Sequence, residues 1–70
     1  MITIKTQIKA NGWHEIEIVD GVLIKGDTIR CKEFIKKYLD GKWSAQDKGW
    51  IVNAEKVEKH TTEAGTIMVR

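Results

Sequence analysis

Apolar and polar residues alternate strictly through MITIKTQIKA, with Ile2, Ile4, Thr6, Ile8 and Ala10 on one side and Thr3, Lys5, Gln7 and Lys9 on the other. A period of two predicts a half-buried strand. The segment WHEIEIV repeats the pattern, setting Ile16 and Ile18 against Glu15 and Glu17. Between them lies Ala10-Asn11-Gly12, and register decides which loop this forms. A two-residue Asn11-Gly12 loop pairs Ile8 with Glu15 and mixes buried with exposed partners. A three-residue loop, with Gly12 left-handed, pairs Ile4 with Ile18, Thr6 with Ile16, Lys5 with Glu17 and Lys9 with Trp13. The longer loop is the consistent choice.

The same device at Val19-Asp20-Gly21 pairs Ile16 with Ile24, Ile18 with Val22 and Glu15 with Lys25. Turn chemistry and binary pattern then agree on a three-stranded meander whose even-numbered apolar residues share one face. Beyond Gly26 the period lengthens. Asp27 and Thr28 offer capping side chains, Ile29 packs at the entrance, and Cys31, Phe34, Ile35, Tyr38 and Leu39 form one stripe of a helix. Asp40-Gly41 ends it, Gly41 being suited to a left-handed C-cap. Trp43 and Gly49-Trp50-Ile51-Val52 read as the arms of a shorter hairpin around residues 44–48. Residues 54–60 suit a short helix, 61–65 a loop and 66–70 a last edge strand. The pattern predicts a single α+β domain over residues 1–70. It has two layers: an antiparallel sheet (the N-terminal meander plus the C-terminal hairpin and strand) and one amphipathic helix on its inner face.

Composition narrows the class. Seventy residues lie near the lower limit of folding without disulfides or metal, and an apolar share of 41% supports a small core. The lone Cys31 excludes an internal disulfide and fits a reducing compartment. No apolar run is long enough to span a membrane, so the expectation is a soluble, cytoplasmic protein without a membrane partner. Net charge is only +2, so any attraction to a polyanion depends on where the charges sit.

Catalytic chemistry finds no constellation. His14, His60 and Cys31 match no zinc spacing, and Cys31 on the core stripe behaves as a small hydrophobe. Glu15 and Glu17 face lysines across strands, and the glycines are isolated turn and cap residues. The reading is a non-enzyme with no cofactor, no metal and no small-molecule substrate.

Two surfaces remain as candidates. On the outer sheet face, Trp13 lies beside Lys9, with Lys5, Gln7 and Lys25 nearby, an aromatic among lysines as used for stacking single-strand bases. At the helix exit, Trp43 lies beside Lys42 and Lys48, next to a basic stripe of Arg30, Lys32, Lys36 and Lys37 on the helix. The two compete, and one of them at most is the site.

Residues 25–53, with the run KGDTIRCKEFIKKYLDGKWSAQDKGWIV, resemble a small module of phage, plasmid and DNA-processing proteins, distantly similar to the HARP domain of annealing helicases. The matching positions are Lys36, Gly41, Trp43, Lys48, Trp50 and Val52; Asp40 and Ser44 depart from the pattern. The resemblance implies binding of DNA or RNA with no chemistry of its own. The expected function is therefore a nucleic-acid-binding module of low sequence specificity, for single-stranded or distorted DNA or RNA. Its rival is a protein-interaction module, a homodimer joined through the outward Trp13, Val19 and Leu23.

Overall fold

The computed structural model describes residues 1–68. Strands β1 (Thr3–Lys9), β2 (Trp13–Val19) and β3 (Leu23–Gly26) form the meander, and a 3₁₀ turn (Ile29–Cys31) leads into helix α1 (Lys32–Leu39). Strands β4 (Lys42–Ser44) and β5 (Gly49–Ile51), helix α2 (Ala54–His60) and strand β6 (Ile67–Met68) complete the chain. The sheet has six strands in the order β4-β5-β3-β2-β1-β6. It is mixed rather than antiparallel, because β6 runs parallel to β1 at Ile8–Ile67 and Lys9–Met68. Val69 and Arg70, the end of the expected last strand, lie outside the described residues.

The first hairpin has the predicted register in every pair, from Ile4–Ile18 to Lys9–Trp13. The second does not. Ile18 pairs with Ile24, Glu17 with Lys25 and Ile16 with Gly26. Asp20 and Gly21 both turn left-handed (φ 52° and 74°), the Val22 N–H donates to the Val19 carbonyl, and Val22 is the extra residue. This slides β3 by two positions, so the faces survive but Val22 leaves the sheet and is exposed.

Both helices lie on the face of Ile8, Ile16, Ile18 and Ile24, where Ile35 and Leu39 of α1, Val57 of α2 and Ile67 close one core. The short helix expected over residues 54–60 forms there, and it joins α1 on the inner face where the layout placed one helix; Asn53 caps it, its side chain accepting from the Lys56 N–H at 3.1 Å. The caps of α1 also differ from expectation. Thr28 caps nothing with its side chain; its hydroxyl accepts from the Trp50 indole N–H at 3.2 Å, which satisfies two buried polar groups at once. Asp40, not Gly41, takes the left-handed C-cap (φ 54°). Gly41 is needed instead because a Cβ there would collide with the Ile35 side chain and crowd its carbonyl. Ile29 is 79% exposed and does not pack at the helix entrance.

Candidate nucleic-acid interface

The covered and open faces of the sheet divide the candidate residues. Cross-strand partners point to the same side, so the rows Lys42–Ile51–Leu23–Val19–Thr3, Lys25–Glu17–Lys5 and Trp13–Lys9–Met68 all lie on the outer face. That face contributes no apolar side chain to the core and carries neither helix. It brings Lys5, Lys9, Trp13, Lys25 and Lys42 onto one surface, where among the described residues Glu15 and Glu17 oppose their charge. Glu17 sits between Lys5 and Lys25, and Glu15, opposite Gln7, lies next to the Lys9–Trp13 row, so each part of the face carries one carboxylate among its lysines. Trp13 is 52% exposed, and the Lys9 ammonium stands 5.7 Å from its ring centroid, within cation–π range. Beside this, Lys5, Gln7, Glu15 and Glu17 line a shallow groove where β3 gives out at Gly26.

The helix exit is split. Trp43 pairs with Trp50, and Trp50 with Ile24, so Trp43 faces the helix side at the sheet edge, while Lys42 faces outward. Trp43 is 55% exposed but leans edge-on against Trp50, with ring centroids 5.4 Å apart at 67°. The Lys36 ammonium stands 5.6 Å over Trp50, not over Trp43. Lys37 turns to Tyr38, at 5.3 Å from its ring. Lys48 is in the β4–β5 turn with a left-handed backbone (φ 53°), beyond the Ser44–Asp47 hydrogen bond that shapes the loop. Asp40 and Lys56 form an ion pair at 2.8 Å that the sequence did not signal.

Two groups with reactive side chains are held in structural roles. His14 is buried at the sheet end, with Nε2 3.2 Å from the Ala10 carbonyl and Nδ1 3.5 Å from the Asp27 carboxylate. Cys31 is fully buried, its Sγ directed at the Thr28 and Asp27 carbonyls. Burial, and then the negative charge of Asp27, push its thiol above the ordinary value of 9.0, so it is held as an inert neutral thiol near neutrality.

Ile51 is the outward residue the sequence reading passed over. The signal was present: with Trp50 and Val52 inward, Ile51 had to join Leu23 and Val19 in an outer apolar row. Among the described residues no helix is long and apolar enough to cross a membrane. No family model matches this chain, and comparison with curated proteins and with solved structures returns no match.

Proposed function

We propose that this domain is a non-enzymatic nucleic-acid-binding module that lays a single-stranded or distorted segment of DNA or RNA across the open face of its sheet. One observation carries the reading: Trp13 is half exposed on an uncovered face, with Lys9 over its ring and Lys5 and Lys25 on the same surface. A base stacks on Trp13, and the backbone follows the lysines, which confer affinity without sequence preference. The helix exit supports the function less well, because its aromatic and its lysines diverge. The likeness of residues 25–53 to modules of DNA-processing proteins favours the same class of partner.

Anisotropy titration of a labelled oligothymidylate at low and moderate salt tests this. Wild type should bind saturably and weaken as salt rises. Trp13→Ala should lose about 1–3 kcal/mol, or roughly 5- to 150-fold in Kd, while Trp43→Ala stays close to wild type. No binding at low salt sinks the reading; loss in Trp43→Ala alone moves the site off the open face. The interaction-module reading draws on the row Val19, Leu23 and Ile51 of that same face, where Ile51 is 48% exposed.

A further inference from the structure

Strand β1 is paired along its whole length by β2 but by β6 only at Ile8 and Lys9. Which backbone groups this leaves open follows from the alternation of an antiparallel ladder. The Ile2 carbonyl accepts from the Asp20 N–H at 2.7 Å, and the Ile2 N–H donates to the Asp20 carboxylate at 2.8 Å, so Ile2 turns its polar groups toward β2. Thr3 and Lys5 therefore turn theirs to the opposite edge, where no strand pairs with them among the described residues. The side chains there tell the same story. Ile2 and Ile4 belong to the helix-side face by register, yet they are 69% and 56% exposed, because neither helix extends over this corner. No proline or bulge blunts the edge, and such an edge with an apolar flank is a template for strand addition.

We propose that this edge is an interaction surface whose occupant is a second copy of the same chain, joined antiparallel about a two-fold axis at Thr3. The segment matches itself. With Thr3 opposite Thr3, the free N–H and C=O groups of the two copies exchange hydrogen bonds, and Lys5 lies opposite Met1 of the second copy. On the helix side Ile2 then faces Ile4 of the second copy and Ile4 faces its Ile2, covering four exposed isoleucines with one another. Lys5 is kept from lying opposite itself, the arrangement that like charges disfavour. The axis also avoids Thr6, whose hydroxyl donates to the Gly65 carbonyl at 2.6 Å and marks where the β6 side of the edge is already occupied. The two sheets become one continuous sheet through an isologous contact. This contact leaves the open face of each copy free and stands or falls apart from any nucleic-acid binding.

Sedimentation velocity over a concentration series of the full chain tests it. Wild type should pass from 8.0 kDa to twice that mass as concentration rises. Thr3→Pro removes an N–H that faces away from β2, so the monomer keeps its own ladder. Ile4→Glu puts like charges into the apolar row from a position already half exposed. Each should raise the dimer dissociation constant by about tenfold or more, equivalent to ~1.4 kcal/mol, with unchanged circular dichroism. A wild type that stays monomeric at every concentration overturns the proposal, as does a dimer that survives both substitutions. A dimer lost on Ile51→Lys but not on Thr3→Pro overturns it too, by placing the contact on the outer apolar row.

Discussion

Replacing Ile35 by Ala is expected to lower stability by about 2–5 kcal/mol, most of the ~5 kcal/mol that a domain of this size holds in reserve. Ile35 has no solvent exposure and sits midway along the buried stripe of α1, between Cys31 and Leu39. Its side chain meets the core from two directions: inward against the sheet and sideways against Gly41, where the chain turns into β4. Truncation leaves a cavity that the sheet cannot close without losing register. Urea denaturation should show a much lower midpoint at similar slope, whereas Ile29→Ala, at a residue 79% exposed, should change stability by no more than ~0.5 kcal/mol. Equal effects at the two positions would mean that α1 does not pack on the sheet as described.

Gly26→Ala should be the second severe substitution. Gly26 pairs with Ile16 at the last step of β3 and adopts φ 109°, a conformation costing about 1–3 kcal/mol for a residue with a side chain. A Cβ there would stand 2.9 Å from the Glu15 carbonyl oxygen and 3.1 Å from the Ile16 α-carbon, both backbone atoms of β2 that cannot swing aside. This is where the chain leaves the sheet, and the next two residues reach His14 and the Trp50 indole. Gly65→Ala is the control, since φ there is 85° with nothing within 4 Å of the added carbon. The excess loss in Gly26→Ala over Gly65→Ala measures the steric part, and red-shifted tryptophan emission should accompany it. Equal losses would show that the close approach of β3 to β2 is not as tight as the geometry requires.

The first hairpin could be read from the sequence because burial and charge agreed on a single register. The second exposes the limit of that reasoning. A slide of two residues exchanges Glu15 for Glu17 opposite Lys25 yet leaves every side chain on its own face, so a binary pattern cannot register it. The turn itself decided, through two left-handed residues at Asp20 and Gly21. Gly41 illustrates a different blind spot: its need was recognised, but as a backbone conformation rather than as close contact with Ile35. The parallel placement of β6 had no legible signal, since Ile67–Met68 is too short to carry a period. For the candidate site, the placement of Trp13, Lys5 and Lys9 followed from the first hairpin's register, whereas which of Lys42 and Trp43 turns outward depends on how a three-residue strand pairs with its neighbour.

The most direct test of the open-face account is residue-resolved. Amide and indole resonances of the ¹⁵N-labelled domain, followed during titration with unlabelled oligothymidylate at low salt, should shift at Lys5, Gln7, Lys9, Trp13 and Lys25. The Trp43 and Trp50 indoles and the amides of Lys36 and Lys37 should stay in place. Shifts confined to Trp43 and α1, or no shifts at all, would contradict the assignment of the open sheet face as a nucleic-acid-binding surface.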